Sequence, residues 1–218
     1  MFDGFYKAYV FIMSNPEEFI GAIRDHFLLL VLTPVSMAII VAVPLGILAT
    51  RYNRLGKIVI NIASIIQTIP SLALLVLMLI AGFGLGYRPA IAALFLYSLL
   101  PILRNTYTGI NNVDSFLKEA ATGMGMTSMQ RLRMVELPLA FSVIMAGVRT
   151  ATVICIGTGV LAAYIGAGGL GPYIVRGLAF MWNHLLLVGA VPAAIMALLA
   201  DFILGKLEYL VTPRGLRD

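Results

Sequence analysis

The glycine-rich segment 166–171 is the first place in this chain where residue types and spacing could do chemistry. It reads GAGGLG and matches G-x-G-x-x-G, the turn that holds a pyrophosphate in dinucleotide-binding folds. That turn needs a preceding β-strand within a βαβ unit, and both are missing from the apolar sequence around this segment. We therefore predict a sharp turn at a helix end and no dinucleotide site.

Other groups with catalytic or metal-binding potential are isolated from one another. His26 and His184 are far apart and lack companion ligands, and the single cysteine, Cys155, lies in an apolar stretch that predicts a buried, inert thiol. The Gly-Lys pairs at 56–57 and 205–206 are followed by Ile and Leu, so the P-loop pattern G-x-x-x-x-G-K-[ST] is absent. The sequence predicts no catalytic residue, no metal site, no bound cofactor and no ATP hydrolysis by this chain.

The segment 111–138 is predicted to form two short helices rather than a flexible linker. It offers a helix N-cap, a glycine pair that ends the helix, a capping box for a second helix, and a proline suited to the first turn of the next span. These signals are Asp114 or Ser115, then Gly123 and Gly125, then Thr127 with Gln130, then Pro138.

The rest of the chain is apolar enough to cross a membrane. Of the 218 residues, 61% are hydrophobic and only 11% are charged, with a mean hydropathy of +0.98, whereas a soluble domain carries about 25% charged residues. A helix of about 20 residues crosses a hydrocarbon core roughly 30 Å thick. Apolar runs of sufficient length predict five spans, at 27–50, 58–83, 89–106, 138–165 and 185–207.

The basic residues predict the orientation of these spans. The net charge of +5 does not indicate nucleic acid, because Lys and Arg are scattered singly between apolar runs. With the N-terminus outside, ten fall on the inner side and four on the outer side, which favours N-out and C-in. The inner ones are Arg51, Arg54, Lys57, Arg104, Lys118, Arg131, Arg133, Lys206, Arg214 and Arg217, and the outer ones are Lys7, Arg24, Arg88 and Arg176. Arg149 lies within the fourth span, where snorkelling or pairing with Glu136 is open.

The inner segment 111–138 carries a pattern that resembles the EAA loop of binding-protein-dependent ABC importer permeases, which have a MetI-like transmembrane domain. That loop reads Glu-Ala-Ala, three residues, Gly, nine residues, Ile, any residue, Leu-Pro. Here Glu119-Ala120-Ala121, Gly125 and Leu137-Pro138 keep every spacing, and Val135 replaces Ile. The resemblance implies an all-α, polytopic membrane helix bundle with five core transmembrane helices and a cytoplasmic coupling helix.

The resemblance also implies how the chain works and with which partners. In that family the loop docks on a cytoplasmic ABC ATPase dimer, so the expected ATPase-coupling residues are Glu119, Ala120, Ala121, Gly125, Leu137 and Pro138. The expected partners are that dimer, a second permease subunit that is identical or paralogous, and an extracytoplasmic substrate-binding protein. ATP and Mg are used by the ATPase. Arg131 and Arg133 have two open roles, with acidic groups of the ATPase or with lipid headgroups.

Further stretches resemble the osmoprotectant permeases, which import glycine betaine, carnitine or choline. They include QTIPSLALL at 67–75, LLPILRNTYTGI at 99–110 and IGAGGLG at 165–171, although IGTGVLAA at 156–163 departs from the expected IGTATLAA. A methionine or other amino-acid importer remains an alternative. A secondary transporter or channel is a further one, against which stands the lack of intramembrane carboxylates other than Asp201.

The predicted organisation is an N-terminal interfacial segment at 1–26, a transmembrane domain at 27–212 with the coupling loop at 111–138, and a C-terminal tail at 213–218. The predicted location is the bacterial cytoplasmic membrane, as a multi-pass protein. Polar residues of the second span are candidates for the translocation path, with interhelical hydrogen bonds as the other open role. They are Asn61, Gln67, Thr68 and Ser71.

Overall fold

Helix-forming apolar runs give a protein built from eleven α-helices across residues 2–212, the part that the structure, a computed structural model, describes. The tail at 213–218, with Arg214 and Arg217, lies outside the described residues. The helices are α1 (Phe2–Ser14), α2 (Pro16–Phe27), α3 (Thr33–Arg51), α4 (Asn53–Thr68), α5 (Ser71–Met78), α6 (Tyr87–Asn111), α7 (Ser115–Gly123), α8 (Ser128–Arg131), α9 (Leu137–Gly159), α10 (Gly171–Ala179) and α11 (Asn183–Val211). The all-α prediction is confirmed.

Each of the five predicted spans lies inside a longer helical unit. Four units are long and apolar enough to cross a membrane, and a bent pair makes a fifth if it counts as one span. The units are Pro16–Arg51, the pair Arg54–Thr68 with Ser71–Phe83, Tyr87–Asn111, Ser128–Ile165 and Asn183–Val211. The apolar runs locate the central part of each helical unit, and the helices continue into flanking polar residues.

The first unit begins eleven residues before the predicted span. Pro16 starts it, which suits a residue without a backbone N–H, and Glu17 and Glu18 occupy its first turn, where the helix dipole favours acidic groups. A π-helical turn, Leu28–Leu32, joins α2 to α3 without a break. The helix therefore passes through position 26, the predicted end of the interfacial segment.

The second predicted span is sharply bent at Ile69 and Pro70. The axes of α4 and α5 differ by 101°, because Pro70 supplies no N–H and disfavours the helical conformation at Ile69. The hydroxyl of Tyr97 on α6 donates to the carbonyl of Ile69, which satisfies an acceptor that the bend leaves free.

The bent pair connects the two ends of the bundle. At its start, a Cβ added to Gly56 would lie 2.8 Å from the carbonyl oxygen of Ala49, in the last turn of α3. At its far end, Gly86 donates its N–H to the carbonyl of Ile165 at 2.8 Å. We call the end with residues 49–57 and 107–137 the loop end, and the end with residues 16–26 and 164–184 the glycine end.

Small residues let three central helices, α3, α6 and α9, approach closely. A Cβ added to Gly46 would lie 2.7 Å from Thr106, and one added to Gly147 would lie 2.7 Å from the carbonyl oxygen of Pro101. Such contacts are typical of membrane helices, whose association depends on packing and hydrogen bonds. By contrast, Gly157 is exposed and has no atom within 4 Å of an added Cβ, so it makes no such contact with the described residues.

At the glycine end, α1 and α10 pack beside α11. Ala8 is buried together with Tyr173 and Leu185, and the hydroxyl of Tyr173 donates to Glu18 at 3.1 Å. Burial, and then the charge of Glu18, raises the pKa of Tyr173 to about 12, so the phenol stays protonated as a donor. Sequence analysis missed α10, because a nine-residue helix containing Arg176 is too short to register as a charge-free run.

Candidate functional site: a helical loop anchored by buried charges

The first helix of the predicted coupling loop, α7, has the ends that its sequence specifies. The carboxylate of Asp114 accepts the N–H of Phe116 at 2.8 Å and caps the helix. The helix ends at Gly123, and Gly125 follows with φ +85°, a conformation that favours glycine. The prediction of a short helix that is broken by this glycine pair is confirmed.

The second helix, α8, starts with a complete capping box. Gln130 donates its backbone N–H to the Thr127 hydroxyl at 3.3 Å, and its side-chain oxygen accepts the backbone N–H of Thr127 at 2.8 Å. The N–H of Met126 bonds back to the carbonyl of Ala121 at 3.1 Å, so the turn folds against α7. A π-helical turn, Leu132–Glu136, then leads directly into α9. Residues 115–136, here called the elbow, therefore form a structured helical loop that continues directly into α9.

A buried carboxylate anchors this elbow to the bundle. Glu136 is 1% exposed and accepts from Arg51 at 2.6 Å and from Arg131 at 2.9 Å. Arg131 also donates to the Thr122 hydroxyl on α7 at 2.9 Å. This arrangement, here called the Glu136 anchor (Arg51, Glu136, Arg131 and Thr122), ties α7 and the start of α9 to the last residue of α3.

The predicted coupling residues divide between an exposed surface and a packed side of the elbow. Glu119, Ala120 and Gly125 are exposed, whereas Ala121 is buried within the elbow. At the start of α9, Leu137 packs partly into a small core with Ile110 and Leu132, and Pro138 is exposed in the first turn. The elbow can thus present a charge and small side chains outward while its other side stays fixed.

Arg149 pairs with Asp201, and the alternative of a pair with Glu136 is wrong. Its guanidinium donates to the two carboxylate oxygens of Asp201 at 2.5 and 2.7 Å, and lies 3.8 Å from Glu208. Glu136 is occupied instead by two arginines at the loop end, one of them far away in sequence. Sequence analysis found neither the Arg149–Asp201 pair nor the Arg51–Glu136 pair, because each joins residues that are distant in the chain and lie on different helices.

Three of the four path candidates on the second span lie at its bend, and Asn61 lies two turns earlier in α4. Gln67 donates to the carbonyl of Tyr97 at 3.2 Å, and the Thr68 hydroxyl bonds to a carbonyl one turn earlier in its own helix. Ser71 is half-buried just after the bend, and Asn61 is exposed two turns before it. Gln67 therefore makes the interhelical bond that was its alternative role.

The glycine segment forms a tight turn, as predicted, and it closes over a histidine. Gly166 and Gly169 have φ of +81° and +82°, and a Cβ at Gly169 would lie 2.9 Å from Nδ1 of His26. That nitrogen accepts the N–H of Leu170 at 3.4 Å, while Nε2 donates to the carbonyl of Ile156 at 3.1 Å. The turn packs α2 against α9, so His26 has a structural role that sequence analysis did not assign.

The described chain combines apolar helices long enough to cross a membrane with a structured helical loop that is continuous with one of them, which are features of a polytopic membrane protein. The chain belongs to the family of binding-protein-dependent transport system inner membrane components, whose model matches residues 42–214. It is therefore a multi-pass inner-membrane protein and the permease subunit of an ABC importer. Its predicted status as a transport subunit, with ATP hydrolysis assigned to a separate polypeptide, is confirmed by that family.

Known proteins of the same length resemble it closely. The carnitine transport permease protein OpuCB of Listeria monocytogenes is 50% identical over 208 residues, 95% of this chain and 94% of that protein. The glycine betaine/carnitine/choline transport system permease protein OpuCB of Bacillus subtilis is 47% identical over 95% of this chain and 94% of that protein. The solved MetNI methionine ABC transporter, in an inward-facing conformation, has a chain that matches with a TM-score of 0.77 at 24% identity, over 90% of this chain and 97% of that one.

Proposed function

We propose that this permease subunit serves an ATP-driven importer of quaternary amine osmoprotectants such as glycine betaine, carnitine or choline. The observation that carries the proposal is the near-full-length identity of 47–50% with permeases whose names specify those solutes. The amino-acid alternative is less well supported, because the likeness to the methionine transporter, at 24% identity, concerns the fold alone.

The proposed orientation puts the N-terminus outside and the loop end in the cytoplasm. The distribution of Lys and Arg supports it, because basic residues concentrate at the loop end. The bent pair α4 and α5 counts as one crossing, since its ends contact opposite ends of the bundle, and this gives five crossings. The proposed transmembrane domain is 27–212, with the segment 1–26 packing at the outer surface and the tail 213–218 inside.

The proposed mechanism couples an ATPase to the helices through the elbow. A cytoplasmic ATPase dimer binds ATP and Mg, and its closure pushes on the exposed surface of α7, which carries Glu119 and Ala120. The Glu136 anchor makes the elbow stiff, so displacement passes to α9 directly and to α3 through Arg51. A second permease subunit, identical or paralogous, completes the membrane pathway, and a binding protein delivers solute from outside.

The polar residues at the bend remain candidates for the translocation path. Support comes from the interruption itself, because irregular backbone within a membrane is tolerated where it is buried in protein or lines a cavity. Ser71 and Thr68 flank the bend, Gln67 precedes them, and Asn61 is exposed on the same helix as Gln67.

Uptake by the reconstituted transporter tests this function. The chain is assembled in proteoliposomes with its ATPase, its partner permease and its binding protein, and radiolabelled glycine betaine, carnitine, choline and methionine are offered separately. We expect ATP-dependent accumulation of at least one quaternary amine and none of methionine. Accumulation of methionine alone would overturn the substrate assignment while leaving the permease role intact.

A further inference from the structure

An ion cluster formed by Arg149, Asp201 and Glu208 joins two helices and includes no residue of the elbow or of the bend. Arg149 is on α9 and the two carboxylates are on α11. Asp201 is ten residues before the end of α11, roughly 15 Å along the helix axis at about 1.5 Å per residue. Twelve residues separate Arg149 from the start of α9, roughly 18 Å by the same rise. The cluster therefore lies within the membrane-spanning part of the chain, on its cytoplasmic half in the proposed orientation.

The cluster is partly open to the outside of the chain. The side chain of Arg149 is 38% exposed and that of Asp201 is 43% exposed. Both line an open cavity of about 380 Å³, together with Ala146, Thr150, Val153 and Ile154. Charged side chains within membrane spans face a bundle interior or a water-filled cavity rather than lipid. The cavity side of α9 and α11 should therefore face water or the translocation path in the assembled transporter.

The charge of the cluster favours a cation. Its formal charge is −1, because one guanidinium faces two carboxylates. Arg149 is held by Asp201. Oε2 of Glu208 lies 3.8 Å from the guanidinium, behind the residues that line the cavity, and is buried without a hydrogen-bond partner among the residues that the structure describes. Apart from Arg149 and Asp201, the cavity wall is formed by methyl-bearing side chains at 146, 150, 153 and 154. A carboxylate beside a methyl-lined wall complements a trimethylammonium group, which cannot donate hydrogen bonds and needs charge and apolar contact together.

We propose that Arg149 and Asp201 form a transient binding site for the transported solute, in which Asp201 faces the trimethylammonium group and Arg149 faces the carboxylate of a zwitterionic solute. Cation binding at the cavity stands on the geometry of this chain, and the identity of the cation rests on the function proposed above. Since the two residues also satisfy each other, the empty site carries no unpaired charge at Arg149. A small solute can enter when its trimethylammonium group first replaces Arg149 as the partner of Asp201, and its carboxylate then replaces Asp201 as the partner of Arg149.

Charge-selective labelling tests the site without depending on transport. Thr150 is exposed in the cavity wall, so Thr150→Cys in a Cys155→Ala background places a single thiol there. The assembled transporter in proteoliposomes is treated with two methanethiosulfonate reagents, one carrying a trimethylammonium group and one carrying a sulfonate. We expect the cationic reagent to react about tenfold faster, as the net negative charge of the cluster would produce. Asp201→Asn should remove most of that preference.

Asp3→Asn is the matched control, because it makes the same chemical change on the exposed helix α1 and should leave the preference unchanged. Glycine betaine or choline at saturating concentration should slow the labelling of the wild-type site. Failure of both reagents to reach the thiol would overturn the proposal, since the face would then be sealed or lipid-covered. Equal rates for the two reagents, or a preference that survives Asp201→Asn, would overturn it as well.

A second measurement separates solute contact from a structural ion pair. Arg149→Gln should lower uptake of the zwitterion glycine betaine at least tenfold more than uptake of the cation choline, whereas Asp201→Asn should lower both. Equal losses for the two solutes in Arg149→Gln would contradict a contact with the carboxylate. If the transporter carries no quaternary amine but keeps its Asp201-dependent labelling preference, the proposed solute is wrong while the cation site stands.

Discussion

Glu136→Gln is the substitution that probes the Glu136 anchor with least change of shape. The native carboxylate is 1% exposed and accepts from two guanidinium groups, whose side chains are 31% (Arg51) and 23% (Arg131) exposed. A glutamine amide has the same size but no charge, and its NH₂ group offers donors where both arginines also donate. Two positive charges are then left facing each other at the base of the elbow.

The expected cost follows from this burial. Removing one partner of a fully buried ion pair costs about 3–5 kcal/mol. Because Arg51 and Arg131 still reach solvent and can reorient, we take about 2–3 kcal/mol for this site. At about 1.4 kcal/mol per factor of ten, that shifts the balance between docked and undocked elbow about 30- to 150-fold. The bundle core lies elsewhere, so the loss should be local to residues 115–136.

Hydrogen exchange of the purified transporter measures this local balance. Amides of α7 and α8 that exchange through undocking should exchange about 30- to 150-fold faster in Glu136→Gln, and those of α6 should be unaffected. Glu17→Gln, the same change at an exposed position in the first turn of α2, is the control and should leave the elbow unchanged. Elbow exchange within twofold of wild type in Glu136→Gln would refute the anchor.

Two further substitutions test the packing of the bundle and the coupling surface. Gly147→Leu should destabilise the isolated chain by several degrees in thermal unfolding in detergent, because its Cβ alone would lie 2.7 Å from atoms of Pro101 and Asn105. At Gly157 an added Cβ meets no atom within 4 Å, so Gly157→Leu should leave the unfolding temperature of the isolated chain unchanged. Equal effects of the two substitutions would contradict the α6–α9 contact. Glu119→Lys should abolish ATP-dependent uptake while the protein still inserts and assembles, since it reverses the charge on the exposed surface of α7; uptake at the wild-type rate would remove that residue from the coupling role.

Local sequence signals predicted the elbow correctly because its geometry is decided by neighbours in the chain. Asp114 is within hydrogen-bonding distance of an amide two residues later, and Thr127 and Gln130 satisfy each other across three residues. The positive φ of Gly125 is likewise a one-residue preference. Each of these features depends on fewer than five consecutive residues, and a single sequence contains all the information they need.

Features that depend on two distant segments were not predictable in the same way. Arg51 and Glu136 are 85 positions apart, and Arg149 and Asp201 are 52 positions apart. Many acid and base combinations were compatible with the topology, and only the packing of α3, α9 and α11 selects among them. Pro70 is a local signal for an interruption of the second span, but the angle of 101° between α4 and α5 belongs to the packed fold, in which Tyr97 of α6 bonds to the carbonyl of Ile69.

Thiol labelling and crosslinking at Ala120, which is exposed on α7, test most directly the claim that this elbow meets a cytoplasmic ATPase. In a Cys155→Ala background, we expect Ala120→Cys to resist a membrane-impermeant maleimide in intact cells and to react with it in inside-out vesicles stripped of the ATPase. In the assembled transporter it should crosslink to the ATPase subunit, with a yield that changes when ATP binds. Labelling from outside intact cells, with no crosslink to the ATPase, would contradict the account.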